Sequence, residues 1–85
     1  MTNTHAKFLK LITDVPDFPK PGIIFKDISP LLASEWFPEL IQELADLVRD
    51  SVNENNITRI AGIESRGFIL GAALAHEMNI GFIPV

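Results

Sequence analysis

The stretch from Arg59 to Val85 constrains the fold more than any other. "RIAGI" reads as a short strand from Arg59 to Ile63, "RGFILGAALAHEM" as a helix from about Arg66 to Met78, and "GFIPV" as a second apolar run. Strand, helix and strand within so few residues make a βαβ unit, whose two strands are parallel with a right-handed crossover. The fold class is therefore α/β. Two short parallel strands do not form a self-sufficient sheet, and a parallel sheet needs cover on both faces. Residues 1–85 are accordingly expected to be the front part of a larger domain, truncated at Val85.

Between the first strand and the helix the apolar pattern breaks at Glu64, Ser65 and Arg66, with Gly62 and Gly67 on either side. In an α/β sheet the loop at the carboxyl end of a strand is where ligands sit. The first N–H groups of the following helix have no internal partners and form the positive end of its dipole, which suits an anion such as phosphate. Arg66 adds a cation whose planar donor fork matches phosphate oxygens. A plainer reading fits the same residues: Ser65 as a helix N-cap, Glu64 as a carboxylate near the positive helix end, Arg66 as a solvated surface charge. The loop is neither the G-x-x-x-x-G-K-[ST] phosphate loop nor the G-x-G-x-x-G dinucleotide fingerprint.

Upstream, Phe8, Leu9, Leu11 and Ile12 are spaced for a helix from Thr4 to about Thr13, ended by Pro16. The segment "VPDFPKPGIIFKDISP" contains Pro16, Pro19, Pro21 and Pro30, each of which fixes its own φ and pushes the preceding residue toward extended geometry. Regular helix is excluded there. Phe18, Ile23, Ile24, Phe25 and Ile28 lie among those prolines, so the segment is expected to be a structured loop packed against something rather than a linker. Phe25 is either ordinary core or a stacking face for a flat ligand, with neighbouring main-chain groups free to read the ligand's edge. Lys26 and Asp27 could simply be a solvated pair. Phe37, Leu40, Ile41, Leu44, Leu47 and Val48 then recur at helical spacing, with a start between Ser34 and Pro38 and turn-prone "NENN" after the end.

Composition narrows the function classes. The net charge is −4, and the Lys and Arg residues are scattered, so no basic face is available for nucleic acid. The absence of cysteine excludes disulfides, thiolate nucleophiles and Cys-ligated zinc. His5 and His76 lack metal-ligand spacing, and neither His76 nor Trp36 is assigned a chemical role. No apolar run approaches a membrane span, and the N-terminus lacks the h-region and cleavage site of a signal peptide, so a cytoplasmic location is expected.

Two segments, "PDFPKPGIIFKDISPLL" (Pro16 to Leu32) and "IAGIESRGFILGAALA" (Ile60 to Ala75), together resemble the adenine phosphoribosyltransferase family over essentially the whole chain. The resemblance implies the N-terminal part of a type I phosphoribosyltransferase fold, a parallel sheet flanked by helices with a small hood over the active site. Residues 1–33 would form the N-terminal helix and base-binding hood, and 34–85 the first part of the core. It further implies a cytosolic homodimer of purine salvage that joins adenine to 5-phosphoribosyl 1-diphosphate, with Mg²⁺, giving AMP and diphosphate.

By the same resemblance Ile24, Phe25 and Lys26 match the segment that holds adenine, with Phe25 against the ring. Glu64, Ser65, Arg66 and Gly67 match the loop that receives the donor's diphosphate, and the Glu64–Ser65 peptide is expected to be cis. Adenine pairs an N6 donor with an N1 acceptor, whereas 6-oxopurines present the reverse, so fixed main-chain groups tuned to adenine leave the wrong base unpaired. The family's catalytic carboxylate, a basic glycine-containing segment and the acidic motif for the ribose 5-phosphate would all follow Val85. No catalytic residue is therefore expected within these residues, which alone should be inactive. An alternative is a regulator with the same fold that binds nucleotide or donor without turnover, and another is an inactive fragment.

Overall fold

The computed structural model describes residues 4–85, with the side chains of Thr4, His5 and Glu54 left aside. The chain forms two compact units, residues 1–37 and 38–85.

The first unit opens with helix α1 (Thr4–Leu9), shorter than the helix to about Thr13 that the sequence suggests. Its end tightens, with Leu11 N–H bonding to the Phe8 carbonyl (3.0 Å) and Ile12 N–H to that of Leu9 (3.2 Å). Thr13 then enters a strand. β1 (Thr13–Pro16) pairs antiparallel with β2 (Ile24–Asp27), matching Thr13 with Asp27 and Pro16 with Ile24. The proline-rich segment is thus largely a β-hairpin. A two-stranded ladder has only edge strands, the one kind that tolerates a proline such as Pro16. Asp17 at φ 56° and Gly22 at φ 86° turn the connecting loop, and the Phe18–Pro19 peptide is cis.

A one-turn helix, α2 (Ser29–Leu32), follows, although Pro30 had argued against helix. The proline lies in its first turn, where no N–H is needed. Asp27 Oδ1 accepts from the Ser29 N–H at 3.0 Å just ahead of it. Phe8 and Leu31 are the buried apolar side chains of this unit among the described residues. The hairpin's apolar residues are not packed away as expected: Phe18, Ile23 and Ile24 are 50%, 44% and 57% exposed, and Phe25 is half-buried. A two-stranded hairpin has too little area to cover them on both faces.

Ser34 does not cap the long helix. Its Oγ accepts from the Trp36 N–H (3.2 Å) and donates to the Leu31 carbonyl (2.8 Å), which makes the turn before α3 (Phe37–Ser51). Pro38 falls in the first turn of α3, as its missing N–H requires. Ile41 and Ala45 are buried and Leu40, Leu44 and Val48 half-buried, whereas Leu47 is exposed because it sits about a third of a turn from Ile41. After a 3₁₀ turn (Glu54–Asn56) come β3 (Arg59–Gly62), α4 (Arg66–Glu77) and β4 (Gly81–Pro84). β3 and β4 are parallel, pairing Arg59 with Gly81 and Gly62 with Pro84, so the βαβ reading holds. Asn79, at φ 63°, closes α4 in a Schellman turn, with its N–H on the His76 carbonyl (3.1 Å) and the Ile80 N–H on that of Ala75 (2.9 Å).

Candidate functional site

Three glycines decide how the loop after β3 is held. A Cβ on Gly62 would run into the Gly67 carbonyl and lie 2.8 Å from the Phe82 ring, and one on Gly71 would lie 2.5 Å from that ring. Gly67 in turn would meet Gly62 at 3.1 Å. The end of β3 and the first turn of α4 therefore touch backbone to backbone, while Phe82 of β4 fills the space that two missing side chains leave. Residues 63–66 bulge from this pinch at the carboxyl end of β3, beside the Val85 N–H that reaches the Gly62 carbonyl at 2.9 Å.

The Glu64–Ser65 peptide in this bulge is cis, as the resemblance implies. Ser65 stands at the N-cap position of α4, but its side chain makes no capping bond. The capping part of the plainer reading is therefore not met, whereas exposed Glu64 and Arg66 remain compatible with its other parts. The first turn of α4 has no acidic residue and begins with Arg66, a cation at the positive end of a helix. Taken alone, such a placement costs about 0.3–1 kcal/mol. Glu64, Ser65 and Arg66 are all exposed and Gly67 is half-buried, so the chain gathers four of the expected residues on one accessible loop.

The other three lie together on β2 of the hairpin. Ile24 and Lys26 share one face of the strand, and Phe25 points to the opposite one. Lys26 Nζ sits 2.6 Å from Asp14 Oδ1, its cross-strand partner. The Phe25 ring meets Phe18 edge to face, with centroids 5.3 Å apart and planes at 70°. In the described ladder β2 has a partner on one edge only, so about half of its main-chain groups point away from β1. Asp14 and Asp17 are not singled out by the sequence, and Phe18 only as an apolar residue expected to be packed. Their roles depend on hairpin register, and the prolines conceal the strand pattern that would have supplied it.

Among the described residues no group of three His, Cys, Asp or Glu side chains could hold a metal, and no helix is long and apolar enough to cross a membrane. A cleft of about 630 Å³, lined by Arg59, His76, Asn79 and neighbours, opens at the amino ends of β3 and β4. It is at the wrong end of the strands for the ligand position of an α/β sheet.

Known proteins resemble this arrangement closely. No protein-family profile matches the chain. An adenine phosphoribosyltransferase of Nocardioides sp. is 51% identical over 81 residues, which are 94% of this chain and 44% of that protein. The crystal structure of the adenine phosphoribosyltransferase from Thermoanaerobacter pseudethanolicus superposes with a TM-score of 0.83 at 39% identity, over 95% of this chain and 46% of that one. That of the Trypanosoma brucei enzyme, in complex with AMP, pyrophosphate and ribose-5-phosphate, gives 0.69 at 28% identity, over 98% and 36%. The chain spans a little under half the length of the first two. In sequence and in fold it corresponds to the N-terminal part of adenine phosphoribosyltransferases and has the opening elements of the type I phosphoribosyltransferase fold.

Proposed function

We propose that this chain is the N-terminal part of an enzyme that transfers the 5-phosphoribosyl group of 5-phosphoribosyl 1-diphosphate to adenine, giving AMP and diphosphate. The observation that supports it most is the exposed loop at the carboxyl end of β3, with Arg66 at the first position of α4 and no acidic residue in that turn. The relatives named above supply the substrate class.

In this reading N9 of adenine bonds to the anomeric carbon of the sugar as the bond from that carbon to diphosphate breaks, and the diphosphate leaves with the electron pair. The N9 proton passes to solvent water. Glu64, Ser65, Arg66 and Gly67 form the diphosphate loop: Arg66 and the first N–H groups of α4 hold oxygens whose charge rises as the bond breaks. Ile24, Phe25 and Lys26 hold the base, Phe25 by stacking and the outward main-chain groups of β2 by reading the N6 and N1 edge. Both contributions are positioning and charge stabilisation. Mg²⁺ would enter bound to the diphosphate oxygens and would offset part of their charge. A cytoplasmic homodimer serving purine salvage completes the proposal.

The test uses the natural-length gene product. Its AMP formation from adenine and the sugar diphosphate is measured beside that of Arg66→Ala. Loss of a charge-assisted contact should raise KM for the sugar donor at least about 10-fold, while KM for adenine changes little. Unchanged donor kinetics would remove Arg66 from the site. Binding of both ligands without AMP formation would favour the regulator reading instead.

A further inference from the structure

We propose that Phe18 is a positioning residue for base recognition, acting through Phe25. The inference rests on the reading of Phe25 as the ring that meets adenine. Phe18 lies in the loop that joins β1 to β2, and its ring stands 5.3 Å from that of Phe25 at 70°. Burial does not explain this contact, because Phe18 remains 50% exposed.

The loop is built to return Phe18 to the strand. Its N–H donates to the Ile23 carbonyl at 3.1 Å, so the chain closes on itself directly before β2. Asp17 Oδ1 accepts from the Gly22 N–H at 2.9 Å and locks the same loop from the other side. Asp17 and Gly22 both adopt the positive φ that this compact path needs. The result is an aromatic corner on a hairpin whose remaining apolar side chains are mostly open to water.

A planar ligand that stacks on Phe25 needs that ring in one orientation. An edge-to-face neighbour removes alternatives before the ligand arrives. Preorganisation of this kind raises affinity by lowering the ordering cost of binding. The selectivity it confers is for the base alone, because neither ring belongs to the diphosphate loop.

Steady-state kinetics of the natural-length enzyme test this with Phe18→Leu, Phe18→Tyr, Phe25→Leu and the Phe18→Leu/Phe25→Leu double variant. An edge-to-face pair of ordinary strength, expressed in binding, corresponds to a rise of about 2- to 10-fold in KM for adenine. Phe18→Leu should show that rise with kcat and the KM for the sugar donor unchanged. Phe18→Tyr keeps the ring and should behave as the parent enzyme. The double variant should be no worse for adenine than Phe25→Leu alone, because the first ring acts only through the second.

Three results would overturn the proposal. Multiplicative effects in the double variant would mean that Phe18 works independently of Phe25. A silent Phe18→Leu beside an impaired Phe25→Leu would leave the base reading standing and remove Phe18 from it. A Phe25→Leu enzyme with unaltered KM for adenine would remove the base reading and this proposal together. Should Phe18→Leu fail to fold, Phe18→Met keeps comparable volume without a ring and has the same expected outcome.

Discussion

The hairpin of residues 13–27 and the βαβ unit of residues 59–84 hold their parts of the proposed site by opposite means. In the hairpin, short strands with exposed faces are fixed by side-chain links: Lys26 to Asp14, Asp17 to the Gly22 N–H, Phe18 to Phe25. In the βαβ unit the loop is fixed by the absence of side chains, since Gly62 and Gly67 touch through backbone and Phe82 enters the gap beside Gly71. The difference teaches that close backbone approach can shape a loop without any side-chain bond, whereas a two-stranded hairpin with open faces depends on exposed side-chain links.

That contrast orders the expected effects of substitution. Gly62→Ala puts a methyl group against the Gly67 carbonyl, a backbone atom that cannot swing aside, and should lower the unfolding free energy of the natural-length protein by about 3 kcal/mol, at the upper end for overpacking. Denaturant titration measures it, and a loss of under about 1 kcal/mol would show that the pinch is soft. Asp17→Ala removes the bond to Gly22 and leaves alanine at a positive φ, for an expected loss of about 1–2 kcal/mol in the same titration. Smallest is Asp14→Asn. The exposed pair with Lys26 contributes about 0.2–1 kcal/mol at low salt, so the difference from the parent protein should shrink as salt is raised. If Asp14→Asn matched Gly62→Ala in cost, the division between soft locks and hard packing would fall.

Much of the βαβ unit is legible in the sequence because its elements follow strong local rules. Apolar runs, a glycine before and after the polar loop and an uninterrupted helical stretch place β3, α4 and β4 within a residue or so of the structure. The hairpin is harder. "TDVP" shows no alternation and ends in proline, and what makes it a strand is its partner Ile24–Asp27 further along the chain. Pro30 misled for a related reason: it forbids a helix interior but not a first turn, and α2 is little more than a first turn. The same non-local dependence hides Phe82, whose contribution appears only when β4 lies beside β3 and its ring comes against Gly62 and Gly71. Of the candidate site, position after a strand offers an anion loop at Glu64–Gly67 as one of two readings, and Phe25 reads as core or stacking face, whereas the proposed base-holding by Ile24 and Lys26 comes from resemblance alone.

The Phe82 ring gives positions 62, 71 and 82 a shared fate with unequal terms. A smaller side chain at 82 would make room for a methyl group at 71, because there the three nearest atoms all belong to the ring. It would not do so at 62, where the Gly67 carbonyl remains in the way. Variation at 71 is thus conditional on 82, and variation at 62 is closed on any background that keeps this loop.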